Sequence, residues 1–268
     1  MAATASFKKT QTLSELLITS FIVIKKNLAN LLLTIFIVTC IIIAAILFLF
    51  AFYYLFILIG VTKINFIFTY NLLWKTTSSI VYFLIAVIAQ ILLINVFFQP
   101  KIDFKENLKS IKKYFWNFLC LTIVLHLLFL FFTLPIYVGI TLLALNNAIL
   151  GLLSFFLGIF LALFLVSYLV FSPFILIDKN TRCMEAIRKS IKLSQGYLAN
   201  IILKILFLTI ILVILNILSG YLVPFYTQGK LFYIIGLLGI VIVLIMILLT
   251  FAYLYNMYQN YKSLKNVK

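Results

Sequence analysis

The stretch that decides the fold is Ser172–Asn200, SPFILIDKNTRCMEAIRKSIKLSQGYLAN, the densest polar segment of the chain. Apolar runs flank it on both sides. Ala148 to Ile177 carries no charged residue, and Ile201 to Leu222 carries only Lys204. Each run exceeds the ~18 apolar residues that mark a membrane-crossing helix. A polar island between two such runs is a surface segment joining two spans.

Composition extends that reading to the whole chain. The 268 residues are 66% hydrophobic and 10% charged, with mean hydropathy +1.28. No soluble domain of this length hides so much apolar surface, so lipid must solvate most of it. The alternation of a transmembrane barrel is absent.

Working outward, six spans are expected at about Leu31–Ile59, Ser79–Phe98, Trp116–Ile136, Ala148–Ile177, Ile201–Leu222 and Leu231–Tyr255. The third is expected to run on toward Leu145 through a kink at Pro135. The first is expected to be kept, because its apolar run is too long for a signal-peptide core and lacks a small-residue cleavage site. Val61–Thr77 reads as a loop, with Tyr70 and Trp74 at headgroup level. Gln99-Pro100 reads as a helix stop, Asn146-Asn147 as a tight turn, and Pro224 to Gly229 as a short loop.

Two further segments resemble the island. Leu13–Lys26 places Leu13, Leu16, Leu17, Phe21 and Ile24 on one stripe. Asp103–Tyr114 does the same with Phe104, Leu108 and Ile111, and lysines cover its other faces. Thr12 with Glu15, and Asp103 with Glu106, have capping-box spacing; the island has Arg182 at that place. Ser20, Ser110 and Ser190 each follow a glutamate (Glu15, Glu106, Glu185) and precede an asparagine (Asn30, Asn117, Asn200). The pattern predicts three parallel repeats, about 12–99, 102–178 and 181–258, each an in-plane helix followed by a helical hairpin.

The expected fold is therefore all-α: one integral membrane domain over residues 1–268, with six transmembrane helices and three cytoplasmic amphipathic in-plane helices. Seventeen of the 21 basic residues fall in the N-terminal arm, the 2–3 and 4–5 loops and the tail; three face the other side. All five acids share the basic side. The positive-inside rule then places both termini in the cytoplasm of a bacterial-type inner membrane. An excess of basic residues beside spans points to anionic headgroups and gives no reason to invoke nucleic acid.

The island also resembles a known family. Pro173, Asp178, Glu185, Ser190 and Gly196 match the "P…D…EAlrrS…L…G" segment of the membrane domain fused to some glycerophosphoryl diester phosphodiesterases, and of its stand-alone six-span relatives. The resemblance implies membrane architecture and a lipid-related setting. The catalytic domain of that family is rich in His, Glu and Asp, whereas this chain has one His and five acids.

No catalytic set, cofactor loop or metal constellation is expected. Cys40, Cys120 and Cys183 have no CxxC spacing, and neither a disulfide nor a metal is expected of them. Lys105, Lys109, Lys112, Lys113, Arg188, Lys189 and Lys192 are candidate headgroup contacts. His126, Gln90, Asn95 and Asn216 are candidates for an intramembrane polar site, with interhelical bonding the commoner role for such residues. Lys204, one turn inside its span, is expected to snorkel outward. Glu185 with Arg188 and Lys189 forms an i,i+3/i+4 surface set, and Gly196 marks a helix break. The functional expectation is a non-catalytic membrane protein in lipid organisation or support of a partner protein. The alternative is a transporter or lipid translocator with its path between the repeats.

Overall fold

A computed structural model describes residues 10–58, 64–99, 104–222 and 232–266. Among them every regular element is a helix: α1 (Leu13–Lys26), α2 (Leu28–Leu58), α3 (Ile64–Phe98), α4 (Phe104–Ala144), α5 (Ala148–Leu169), α6 (Ser172–Lys179), α7 (Cys183–Ser194), α8 (Leu198–Leu222) and α9 (Phe232–Asn266). Among the described residues, six segments are long and apolar enough to cross a membrane: Leu28–Ala51, Lys75–Phe98, Lys105–Ala144, Ala148–Lys179, Leu198–Ile217 and Val241–Lys265. The Pro100 stop, the Asp103 cap, the Pro224 to Gly229 loop, and the side chains of Tyr70 and Trp74 lie outside the described residues.

The chain divides into two compact units, residues 27–119 and residues 1–26 with 120–268. In the first unit α2 packs against α3. Half of the Lys75–Phe98 span is buried, the largest share of the six. Ile91, Leu92, Ile94 and Val96 form its core. The expected loop at Val61–Thr77 is corrected, since α3 already begins at Ile64. Its Asn and Thr residues are poor helix formers, but no Gly or Pro follows Ile64 to stop the apolar helix behind it.

The expected separation of Asp103–Tyr114 from its span is also corrected. α4 runs unbroken for 41 residues and contains Pro135. Nothing at Tyr114-Phe115-Trp116-Asn117 breaks a helix, so amphipathic and apolar turns propagate as one element.

In the second unit the capping box of α1 forms as its spacing predicts. The Thr12 amide donates to Glu15 Oε2 at 2.8 Å, and the Glu15 amide donates to Thr12 Oγ1 at 3.3 Å. α1 then packs on α9. Leu16 and Ser20 are buried there, and Asn256 Nδ2 donates to Ser20 Oγ at 3.1 Å.

α4 and α5 turn at Asn146, whose φ of 61° is left-handed. Close approach follows from small residues: a Cβ on Gly139 would lie 2.6 Å from the Phe155 amide nitrogen, and one on Gly158 2.6 Å from that of Ile136. Ser154 Oγ donates to the Pro135 carbonyl at 2.8 Å across the same pair of helices. Small residues let backbones meet where lipid supplies no hydrophobic drive for helix association.

α6 starts with Pro173 in its first turn and ends on left-handed Asn180. α7 buries Cys183, Ala186, Ile187, Ser190, Leu193 and Ser194 on one face. Arg182 makes no side-chain cap there, as its place in the sequence implies. Gly196, at φ +88°, supplies the break between α7 and α8 that the sequence predicts.

Candidate functional site

The second unit gathers its chemistry where α6, α7 and α9 meet. Asp178, near the end of α6, accepts two hydrogen bonds on Oδ2, from Tyr258 Oη and from Lys262 Nζ, both at 2.6 Å. The Lys262 and Asp178 side chains are 31% and 17% exposed, so the ion pair is partly shielded from water. The Tyr258 ring stacks on Phe174, with centroids 6.0 Å apart and planes 19° apart. Residues 253, 257, 258 and 261 have helical spacing and line the buried face of α9.

Beside this lock lies a cavity of about 290 Å³, lined by Ile175, Lys179, Lys189, Lys192, Leu193, Tyr258, Lys262 and Lys265. Three helices contribute its five lysines. Lys189 also pairs with Glu185 at 2.6 Å. That hydrogen bond holds the exposed Glu185 carboxyl below its ordinary range. Among the described residues, Lys179 and Lys192 belong to no ion pair.

Deeper in the unit, Lys204 is 2% exposed. Its amine donates to Tyr261 Oη at 3.2 Å and sits 4.9 Å above that ring's centroid. Tyr253 Oη donates to the Lys204 carbonyl at 3.2 Å. The snorkelling expectation is corrected: the hydroxyl and ring face of Tyr261 hold the ammonium inside the helix cluster, while Tyr253 binds the Lys204 backbone.

The family-like residues all belong to this unit. Pro173 opens α6, and Asp178 forms the lock. Glu185 holds Lys189, Ser190 Oγ donates to the Tyr168 carbonyl at 2.7 Å, and Gly196 makes the break. Of the headgroup candidates, Lys189 and Lys192 reach the cavity, while Arg188 is exposed on α7. Lys105, Lys109, Lys112 and Lys113 are exposed along the start of α4 in the other unit. Lys109 and Lys113 border a smaller cavity of about 220 Å³ with Asn95, Glu106 and Ser110.

The intramembrane candidates divide between the units. Asn95 is buried and its Nδ2 donates to Asn107 Oδ1 at 2.9 Å, the interhelical bond expected of it. Gln90 is half-buried on α3 and Asn216 exposed on α8. His126 folds back on its own helix, with Nδ1 2.7 Å from the Thr122 carbonyl; the carbonyl only accepts, so Nδ1 carries the proton. His126 also borders an apolar cavity of about 260 Å³ with Phe129, Leu169 and Pro173.

Sequence reasoning counted Lys179, Lys262 and Lys265 only as topology charges and missed Tyr258 altogether. The Tyr253, Tyr258, Tyr261 and Lys262 spacing was the available signal, because it continues the helix past the expected end at Tyr255. Spacing also gave no hint that Cys183 meets Cys120. Burial, then the hydrogen bond with Cys120, pushes the Cys183 thiol up to about 12. All three cysteines are free thiols.

The class these features define is a multi-pass helical membrane protein, with six apolar helices among the described residues. Compared with family models, curated proteins and solved structures, the chain matches none.

Proposed function

We propose that this chain is a non-catalytic integral protein of a bacterial-type cytoplasmic membrane, organising anionic lipid or supporting a protein partner at the membrane surface. The observation that carries the reading is α7: one face buried, Arg188 and Lys192 exposed on the other, between two spanning helices. The buried face packs on α5, α6 and α9, which leaves the cations of the other face to meet anionic lipid at headgroup level. α1 is its in-plane counterpart, the basic start of α4 leads without a break into its span, and both termini face the cytoplasm, in keeping with the distribution of basic residues.

The three-repeat scheme is supported by Ser20, Ser110 and Ser190, each buried. The likeness to the phosphodiesterase-fused membrane domain rests on Pro173, Asp178, Glu185, Ser190 and Gly196 in the sequence. Charge reversal of Lys109, Lys112, Arg188 and Lys189 tests the function. The purified chain is expected to lose its enrichment of anionic over zwitterionic lipid in mixed vesicles. Unchanged enrichment would refute the reading.

A further inference from the structure

We infer that the five-lysine cavity between α6, α7 and α9 is a one-per-chain binding site for a lipid headgroup carrying a dianionic phosphate, such as a phosphomonoester. The inference rests on the anionic-lipid reading above and narrows it from a charged surface to a pocket. Charge sets the ligand class. Five lysines line the cavity, whereas the two carboxylates beside them, Asp178 and Glu185, each bond one lysine. Lys179 and Lys192, from different helices and in no ion pair among the described residues, remain to meet a second negative charge. A phosphomonoester carries about −1.5 to −2 near pH 7 and offers three strong acceptor oxygens. A phosphodiester carries only one charge.

Depth and lining set the source. Lys179 and Lys265 are the last residues of two candidate spans, Ala148–Lys179 and Val241–Lys265. The cavity therefore opens at headgroup level. Ile175 and Leu193 give it an apolar wall, against which the glycerol and first methylenes of a lipid can rest. A freely soluble phosphate has no use for that wall. The Asp178–Tyr258–Lys262 lock borders one side of the cavity and engages Lys262, which lines it.

The test uses the full chain in nanodiscs whose lipid is neutral except for one component, either phosphatidic acid or phosphatidylglycerol, with bound lipid counted by native mass spectrometry. About one phosphatidic acid per chain is expected to be retained, and phosphatidylglycerol far less. Lys179→Gln with Lys192→Gln should weaken retention roughly 30-fold, taking ~1 kcal/mol per surface cation. Lys179→Arg with Lys192→Arg should restore it, and a Tm within a few degrees of wild type shows that the variants fold. Removing equal charge elsewhere, by Lys25→Gln with Lys26→Gln, should leave the one-per-chain component in place.

The pocket is overturned by equal loss from the Lys25/Lys26 pair, by equal retention of the two lipids, or by full displacement with millimolar glycerol phosphate or inorganic phosphate. The last would make the ligand soluble. If wild type instead holds anionic lipid no better than neutral lipid, the broader function fails along with the pocket. Anionic enrichment that the Lys179/Lys192 pair leaves intact sinks the pocket alone.

Discussion

Removing the Asp178 carboxylate should destabilise the protein and tighten its hold on phosphate at the same time. Asp178 Oδ2 takes both the Tyr258 hydroxyl and the Lys262 ammonium at 2.6 Å. An exposed ion pair is worth about 0–1 kcal/mol, and breaking a fully buried one costs about 3–5 kcal/mol. With its partners 31% and 17% exposed, this pair lies between those limits, at about 2 kcal/mol. The tyrosine bond to a charged acceptor adds about 1.5 kcal/mol. Asp178→Ala should therefore cost about 3.5 kcal/mol. Asp178→Asn keeps an acceptor for Tyr258 and should cost about 2 kcal/mol. The assay is reversible unfolding in mixed micelles, run as a double-mutant cycle of Asp178→Asn with Lys262→Met. A coupling of about 2 kcal/mol is expected. A coupling below about 0.5 kcal/mol would reduce the lock to an ordinary surface pair and refute the reasoning. The Asn variant also frees Lys262 to face the cavity, so phosphatidic acid retention should rise while stability falls. A variant that loses both contradicts the geometry.

Other outcomes follow from separate contacts. Gly158→Leu should disrupt the α4–α5 hairpin, because even a Cβ there meets the Ile136 nitrogen at 2.6 Å; an unchanged melting temperature would show that the helices do not touch. Thr12→Ala should cost about 1 kcal/mol through loss of the α1 cap, measured by the same unfolding assay. Cys183, whose thiol is pushed up to about 12 from an ordinary 9.0, should alkylate at pH 8 about a thousandfold more slowly in the folded chain than after SDS unfolding, by peptide mass spectrometry. A raised folded value favours the neutral thiol, so its stabilisation is complete below pH about 9 and is lost as pH climbs toward about 12. Lys204→Met should be neutral or stabilising in micelles, since a buried cation replaced by an apolar chain of similar length sheds its desolvation cost; a loss above 3 kcal/mol would mean that its tyrosine contacts outweigh that cost.

Much of this architecture is written locally. The Thr12–Glu15 box, the Asn146 turn, the Gly196 break and the amphipathic face of α7 each depend on residues within one or two turns, and each forms where its pattern stands. The departures come from the same source. At Ile64 and at Tyr114–Asn117 polarity suggested a boundary, but polarity alone does not end a helix without a Gly, a Pro or a competing cap.

Lys204 and Asp178 show why the site was harder to read than the fold. A lysine one turn inside a span has two low-energy solutions, reaching outward to water or inward to acceptors, and its neighbours in sequence do not distinguish them. The deciding group is Tyr261, 57 residues away, with Tyr253, 49 residues away, bonded to the Lys204 carbonyl. Asp178 likewise reads as one more interfacial acid until Tyr258 and Lys262, 80 and 84 residues on, arrive beside it. In both cases α9 supplies the partner. Its final turns carry four buried aromatic or thioether side chains, Tyr253, Met257, Tyr258 and Tyr261. They hold one cation inside the helix cluster and fix another at the edge of the lysine cavity. The most consequential stretch for function is thus the end of α9. The polar island supplies Asp178 and the lysines, but its acid and its cavity take their final shape only against that aromatic face.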